Sequence, residues 1–267
     1  MIWARLSGLA DLVRPAPTKV QPRQRLQIEV GKRPVYAIGD VHGCMAALRA
    51  LEAEIAADAT DYPDRPLVVM LGDVVDRGPA SAQVIDHLLS ASPAFDRICL
   101  AGNHELAMAA FLSAPHPQHE WLGFGGFETL LSYGIDEAAL RQALARTSRL
   151  RALVDSHIPD DHRQFLELLP ILLETPQHIF VHAGLRPGIA IEIQHDSDLV
   201  WLRDDFSSDY AEFGKTVVHG HTPVMEPLLS PHRICVDTGA YATGRLTAVK
   251  LVVGDGPRLL TVSHHNA

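Results

Sequence analysis

The chain has 267 residues, which is enough for one large α/β domain or two small ones with a substantial buried core. Its net charge of −9 argues against a protein that binds nucleic acid through a broad basic surface. No stretch reaches the roughly 20 apolar residues of a transmembrane segment. The N-terminus lacks the apolar core of a signal peptide, and the three cysteines have no paired spacing. We therefore expect a cytoplasmic protein with free thiols.

The N-terminal part differs in charge from the rest of the chain. Residues 1–32 contain six basic and two acidic residues. Helical spacing of apolar residues within 1–13 predicts a short helix packed on the domain or frayed, and a membrane-surface or partner helix is the alternative. Prolines among polar residues predict a linker over residues 14–25. The sequence thus predicts a basic arm and linker over residues 1–32 and a folded domain over residues 33–267, beginning near Arg33.

Strand-length apolar runs alternate with helical patterns in this domain. The predicted strands are Val35–Ile38, Leu67–Leu71, Ile98–Leu100, Ile179–Val181, Thr216–Val218, Ile234–Val236, Leu246–Val253 and Leu259–Val262. Helical patterns follow the first three strands over Met45–Ala57, Ser81–Leu89 and Glu105–Leu112. This alternation predicts an α/β fold with parallel βαβ units, and the strand-rich end of the chain predicts a second, mixed sheet.

No strand pattern is visible over about residues 106–177. Helical patterns occur there over Asp136–Val154 and Asp160–Leu169, after a glycine-rich turn at Gly123–Gly126. A strand-free stretch of this length inside an α/β domain is typical of a functional insertion. We therefore expect a helical insertion that covers the neighbourhood of the site.

Five polar clusters each follow an apolar run. They are GDVHG at 39–43, GDVVDRGP at 72–79, GNHE at 102–105, VHAG at 181–184 and HGHT at 219–222. Ligands of open α/β folds bind beyond the carboxyl ends of the strands, so we expect the clusters to converge at one edge. Their potential metal ligands are Asp40, His42, Asp73, Asn103, His182 and His221. Mixed oxygen and nitrogen ligands of this kind favour two neighbouring ions of Mn, Fe or Zn, with Asp73 able to bridge them.

Two such ions suit the hydrolysis of a phosphate ester, because they activate a shared water and neutralise phosphate oxygens. His104 follows Asn103 and is the candidate proton donor to the leaving group, with Asp76 as the carboxylate that orients its ring. The alternative is that His104 is a third imidazole ligand. Arg77 offers a planar guanidinium for the phosphate.

Four further residues have less specific contexts. Arg203, in WLRDD at 201–205, is a candidate second phosphate-binding group, and a surface ion pair with the neighbouring acidic residues is the alternative. We expect Glu105 to secure the first helical turn and Asp237 to anchor a loop. His219 is either a neighbour of the metal ligands or a buried strand residue.

These motifs resemble the metallophosphoesterase family, in particular bacterial members of its serine/threonine protein phosphatase-like branch. The resemblance covers about residues 33–253, and the segment WLGFGGFETLLSYG at 121–134 also resembles bacterial members, although a simple packing motif around Trp121 is the alternative. It implies a four-layered α/β/β/α sandwich and in-line attack of a metal-bridging hydroxide on a phosphomonoester. Asp40, His42 and Asp73 would hold one metal, and Asp73, Asn103, His182 and His221 the other.

The leading hypothesis is a dinuclear metal-dependent phosphomonoesterase that acts on phosphorylated protein, peptide or a small ester. The alternative is a diadenosine tetraphosphatase-like hydrolase of dinucleoside polyphosphates with the same site. Relatives of that type tend to have GNHD and a different residue at the position of Asp76, so GNHE and Asp76 favour the leading hypothesis. An inactive binding module, the third hypothesis, is expected to have lost ligands that this chain retains.

Overall fold

The computed structural model describes residues 22–203 and 210–264. The predicted N-terminal helix over residues 1–13 lies outside these ranges. Asp204 and Asp205, the acidic residues that follow Arg203, also lie outside them. Within the described ranges, no helix is long and apolar enough to cross a membrane.

Strands and helices follow one another in the order of an α/β protein. The strands are β1 (Arg25–Gln27), β2 (Val35–Ile38), β3 (Leu67–Met70), β4 (Asp96–Cys99), β5 (Leu172–Glu174), β6 (His178–Val181), β7 (Thr216–His219), β8 (Leu228–Leu229), β9 (Arg233–Cys235), β10 (Arg245–Leu251) and β11 (Arg258–Ser263). The α-helices are α1 (Met45–Asp58), α2 (Ser81–Leu89), α3 (Asn103–Ser113), α4 (Gly126–Ser132), α5 (Glu137–Ala143), α6 (Thr147–His157), α7 (Asp160–Leu168), α8 (Asp196–Trp201) and α9 (Ala240–Thr243).

The strands form two mixed sheets. The first sheet has the order β11-β10-β2-β3-β4, with β2, β3 and β4 parallel and β10 antiparallel to β2. The second has the order β1-β5-β6-β7-β9-β8, in which β6, β7 and β9 are parallel. The predicted parallel βαβ units are thus found in the first sheet. The strand-rich end of the chain is divided, because β10 and β11 extend the first sheet instead of joining the second.

Side chains alternate between two buried layers along the strands. In β3, Leu67 and Val69 belong to the core between the sheets, where they join Phe180 and Val218 of the second sheet. Their neighbours on β3 belong to the core that contains α1, α2 and the insertion. A third core packs α8 against the other face of the second sheet. Both sheets are therefore covered on both faces, and the predicted four-layered α/β/β/α sandwich is confirmed.

Three short strands, β1, β5 and β8, were not predicted from the sequence. β1 pairs in parallel with β5, and Arg25 of β1 forms a 3.1 Å ion pair with Asp196. The sheet therefore begins before Arg33, and residues 25–27 belong to the fold instead of a linker. β5 also lies inside the range expected to be strand-free, so the helical run ends at Leu168. Strands of two or three residues are too short to give a readable periodicity.

The insertion is helical, as expected, but it is divided into more helices than the sequence pattern predicted. The single pattern predicted over Asp136–Val154 is two helices, α5 and α6. Helix α3 packs against α7, and α2 against α4, so the insertion is packed on the βαβ part of the molecule. Its segment around residues 121–129 reaches the polar edge of the first sheet.

We expect Leu48→Ala to lower the free energy of unfolding by about 2–5 kcal/mol, because Leu48 is fully buried where α1 packs on the first sheet. The matched control is Leu168→Ala, since Leu168 is 67% exposed at the end of α7 and should change stability by less than about 0.5 kcal/mol. Urea unfolding followed by circular dichroism measures both. Equal losses for the two variants would contradict this description of the core.

Candidate functional site

The predicted ligands lie at one edge of the two facing sheets. Asp40 and His42 follow β2, Asp73 follows β3, and Asn103 begins the helix after β4. His182 and His221 follow β6 and β7 of the second sheet. All six are at most 4% exposed. The carboxyl ends of parallel strands meet at this edge, which is why residues from distant segments converge here.

Two groups of potential ligand atoms share one residue. In the first group, donor atoms of His42, Asp73 and His104 lie within 4.8 Å of one another. In the second, the same holds for Asp73, His182 and His221. The two Asp73 oxygens face different groups, since Oδ2 lies 3.7 Å from His42 Nε2 and Oδ1 lies 3.4 Å from His182 Nε2. Asp73 therefore occupies the position that a bridging carboxylate requires.

The remaining two predicted ligands, Asn103 and Asp40, lie beside the second group. Asn103 Oδ1 is 3.0 Å from His182 Nε2, and His221 Nδ1 is 3.1 Å from the same nitrogen. Both oxygens of Asp40 accept the backbone N–H of His221, at 3.1 and 3.2 Å. The structure thus brings all six predicted ligands into one cluster.

The chemistry of these donors fits metal ions. Nε2 of His221 is buried without a hydrogen-bond partner among the described residues. Burial raises the pKa of Asp40 well above its usual range, and the carboxylates of Asp237 and Asp73 raise it further. Buried carboxylates this close together are costly unless cations compensate them. The cluster therefore has the unused lone pairs and the excess negative charge that cations would satisfy.

The imidazoles differ in their electrostatic surroundings. Burial lowers the pKa of His42 and of His221 to about 3, which leaves both rings neutral with lone pairs available. Burial also lowers the pKa of His182, but the charges of Asp73 and other nearby carboxylates outweigh it and raise the pKa to about 10. A positive charge is thus favoured at the position of His182 Nε2, where the second group of donors meets.

Left-handed backbone conformations are concentrated in these loops. Among the described residues other than glycine, all those with positive φ except Tyr210 are predicted site residues: His42 (44°), Asp73 (50°), Asp76 (73°), Arg77 (66°) and His221 (66°). This conformation costs an L-residue about 1–2 kcal/mol. Gly102 makes room for the loop after β3, because a Cβ at this position would lie 2.5 Å from the backbone nitrogen of Asp73.

Glu105 holds the same loops in place. Its carboxylate accepts the backbone N–H groups of Asp73, Val74 and Gly102, each at 2.8 Å. The bond to Gly102 closes the first turn of α3, as the sequence predicted. The bonds to the loop after β3 were not predicted, since they join segments about 30 residues apart.

His104 and Asp76 form a buried pair. His104 Nδ1 lies 2.6 Å from Asp76 Oδ2, and the other ring nitrogen, Nε2, lies 3.2 Å from Nη2 of Arg77 in the cavity lining. Burial lowers the pKa of His104, but Asp73 and Asp76 outweigh burial and raise it above its ordinary value. This shift favours the protonated ring, which is the form that a general acid requires. The Nε2 atom is also 3.8 Å from Asp73 Oδ2, within the first group of potential ligands.

The pocket is a small polar cavity of about 150 Å³. Both predicted phosphate-binding residues, Arg77 and Arg203, line it, and Arg203 is exposed. Tyr241 also lines the cavity, with the Arg77 guanidinium 4.6 Å from the centre of its ring. Tyr241 was missed from the sequence because no polar cluster surrounds it.

The structure also locates the less specific candidates. Asp237 accepts the backbone N–H of Gly239 at 2.9 Å, the loop contact that was expected, and it also contributes negative charge beside Asp40. His219 Nε2 accepts a 2.9 Å hydrogen bond from buried Arg233, and its other ring nitrogen lies by the carbonyl of Gly220. These contacts make His219 a buried strand residue.

Two residues of the insertion, Trp121 and Thr129, contact Asp76 and were not predicted to do so. Their side chains donate hydrogen bonds to Asp76 at 2.8 and 2.6 Å. Only the local resemblance of the segment at 121–134 indicated a position near the site. It gave no indication of this contact.

Comparisons with known proteins extend over most of the chain. The asymmetrical bis(5'-nucleosyl)-tetraphosphatase PrpE of Halalkalibacterium halodurans is 25% identical over 238 residues, covering 80% of this chain and 88% of its own length. The fold is similar to a crystal structure provisionally assigned as a diadenosine tetraphosphatase, with a TM-score of 0.64, 21% identity and coverage of 92% and 100% of the two chains. It is also similar to a Saccharomyces cerevisiae protein serine/threonine phosphatase, with a TM-score of 0.60, 14% identity and coverage of 92% and 86%.

A family model, described as calcineurin-like phosphoesterase, matches residues 33–264. The match includes all five polar clusters and both sheets apart from β1. The resemblance to metallophosphoesterases is therefore confirmed, and the chain belongs to the calcineurin-like phosphoesterase family.

Proposed function

We propose that this phosphoesterase hydrolyses dinucleoside polyphosphates, with two metal ions held by Asp40, His42, Asp73, Asn103, His182 and His221. The position of Asp73 in both groups of donor atoms carries the dinuclear part of the proposal. The substrate class is supported by the relatives named as bis(5'-nucleosyl)-tetraphosphatases. Mn, Fe or Zn are the proposed metals because the ligands mix oxygen and nitrogen, and the cytoplasm is the proposed location.

Besides the metal ligands, three residues that line the pocket, Arg77, Tyr241 and His104, have proposed roles in this reaction. Metal ions bound here would activate water and neutralise the charge of the phosphoryl oxygens. Arg77 presents a guanidinium to the same phosphoryl group, and its contact with Tyr241 orients it. The raised pKa of His104 favours its protonated form, and this residue is the proposed donor to the departing oxygen.

The size of the cavity divides the substrate into two parts. A volume of about 150 Å³ is below the roughly 300–1,000 Å³ of pockets that enclose whole small molecules, so only the reacting phosphoryl group enters. The rest of the substrate lies over the rim. Tyr241, on the rim, is 39% exposed, and Trp201, whose ring centre is 6.5 Å from that of His221, is 49% exposed. Exposed aromatic rings beside a phosphate pocket suit stacking with nucleobases.

Phosphomonoester hydrolysis is the second candidate, and the buried acid pair favours it. An alkoxide is a poor leaving group and needs a proton, whereas a nucleotide phosphate leaves as an anion of low basicity. The 2.6 Å contact between His104 and Asp76 provides a proton donor of this kind. The same pocket would then accept a phosphorylated peptide or a small ester.

Turnover on diadenosine tetraphosphate and on p-nitrophenyl phosphate, both with added Mn, discriminates between the candidates. We expect kcat/KM at least about tenfold higher for the dinucleotide, equivalent to about 1.4 kcal/mol of added transition-state binding outside the cavity. A preference for p-nitrophenyl phosphate would support the second candidate. Absence of turnover on both compounds with Mn, Fe and Zn would reject both candidates.

Asp73→Ala is expected to remove both metal ions, because each group of ligands loses the carboxylate that the two share. Elemental analysis of the purified variant should therefore give close to no bound metal. The control is Asp64→Ala, which removes an exposed carboxylate before β3 and should keep the wild-type metal content. Retention of two ions by Asp73→Ala would contradict the bridging role.

His104→Ala is expected to lower kcat on phenyl phosphate, whose leaving group needs a proton, by about 10²–10⁴ while the metals are retained, which is the range for loss of a general acid. Steady-state kinetics with parallel metal analysis tests this. His116→Ala, which removes an exposed imidazole from the insertion, serves as the control and should keep wild-type kcat. If His104→Ala also loses metal, His104 is instead a third imidazole ligand.

A further inference from the structure

Asp76 receives three side-chain hydrogen bonds, and two of them come from the helical insertion. His104 Nδ1 and Trp121 Nε1 contact Oδ2, at 2.6 and 2.8 Å, and the hydroxyl of Thr129 contacts Oδ1 at 2.6 Å. Asp76, Trp121 and Thr129 are all fully buried. Water therefore cannot replace either of the contacts from the insertion, and the carboxylate has fixed partners on both oxygens.

Thr129 holds the backbone of Asp76 as well as its carboxylate. Its hydroxyl has a single hydrogen, which goes to Asp76 Oδ1, while its oxygen accepts the Asp76 backbone N–H at 3.0 Å. The Ser81 hydroxyl accepts the same N–H at 2.9 Å. Asp76 has a φ of 73°, a conformation that persists only where its surroundings enforce it. Thr129 therefore stabilises the strained backbone that aims Asp76 at His104.

Trp121 has no freedom to turn away from Asp76. Its ring packs on Phe111, with 4.8 Å between the ring centres. Gly126 lies against the other part of the ring, where a Cβ would meet Trp121 carbons at 2.6 Å or closer. Because the ring is buried and fixed, its indole N–H points in one direction and needs an acceptor there. That acceptor is Oδ2 of Asp76, the same oxygen that contacts His104.

We propose that Trp121 and Thr129 are positioning residues: through two hydrogen bonds to Asp76 they fix the orientation in which His104 donates its proton. The inference rests on the proposed role of His104 as the acid. It gives the helical insertion a direct part in the proton transfer, although neither residue touches the substrate. Sequence resemblance around residues 121–134 thus reflects more than a packing motif around Trp121.

The test uses leaving groups of different basicity, because misplacing an acid matters most when the leaving group needs the proton. The leaving group of phenyl phosphate has a pKa of about 10, as for a tyrosine side chain, and that of p-nitrophenyl phosphate is more acidic. The main variant is Thr129→Val, which is close in shape and lacks the hydroxyl. We expect it to lower kcat on phenyl phosphate about 10–100-fold more than on p-nitrophenyl phosphate, with KM and metal content little changed.

Three further variants separate positioning from a general loss of stability. Thr129→Ser restores the hydroxyl and should recover the wild-type ratio of the two kcat values. Trp121→Phe removes the N–H but keeps an aromatic ring, and should change the ratio in the same direction as Thr129→Val. Thr175→Val removes another buried threonine hydroxyl, in the turn between β5 and β6, and should leave the ratio unchanged. Equal losses on both substrates in Thr129→Val would overturn the proposal.

Crystal structures of the variants give a readout that needs no turnover. The proposal expects the Asp76 carboxylate in Thr129→Val and Trp121→Phe to turn, and its contact with His104 Nδ1 to lengthen beyond hydrogen-bond distance in at least one of them. Unchanged contacts in both variants would overturn it. A wild-type substrate ratio in His104→Ala would instead reject the acid role in the proposed function, and the crystal structures would still decide whether the insertion orients the pair.

Discussion

The burial of three neighbouring carboxylates, those of Asp40, Asp73 and Asp237, is the constraint on which the rest of the structure depends. Isolated carboxylates in such a position would cost several kcal/mol each. Their neighbours are imidazoles: His42 and His221 are neutral with lone pairs available, whereas the surrounding negative charge outweighs burial and raises the pKa of His182 to about 10. A site of this composition is incomplete without cations, and the family membership of the chain is consistent with that chemistry.

Holding these charges together requires a rigid scaffold, because the ligand loops are strained. Five site residues have left-handed backbone conformations, each costing about 1–2 kcal/mol. The loops begin where buried strands of the two sheets end, and three separate apolar cores fix those strands. Glu105 also stabilises these loops, because its carboxylate binds the backbone of the loop after β3 and of the first turn of α3. The strain is thus offset by packing that lies away from the chemistry.

The insertion packs directly on the proposed acid and on the rim of the cavity. Trp121 and Thr129 donate hydrogen bonds to Asp76, while Phe124 packs edge-on against His104 and lies near exposed Trp201. The cavity, at about 150 Å³, is smaller than pockets that enclose whole small molecules. In the proposed function, substrate choice therefore depends on the rim, where the insertion and the segments around Trp201 and Tyr241 meet solvent. A fold of this kind does not fix the substrate, which the residues of the site and its rim decide.

The sequence by itself determined the layered α/β fold and the set of candidate ligands. Strand periodicity and short polar motifs are local properties, and the ends of parallel strands converge in any fold of this kind. It did not determine β1 and β5, which are too short to show a pattern and are defined by their pairing within the second sheet, β1 with β5 and β5 with β6. Nor did it reveal that Thr129 and Trp121 reach Asp76, or that Tyr241 packs on Arg77. Those contacts join segments far apart in the chain, so only the packed tertiary structure could decide them.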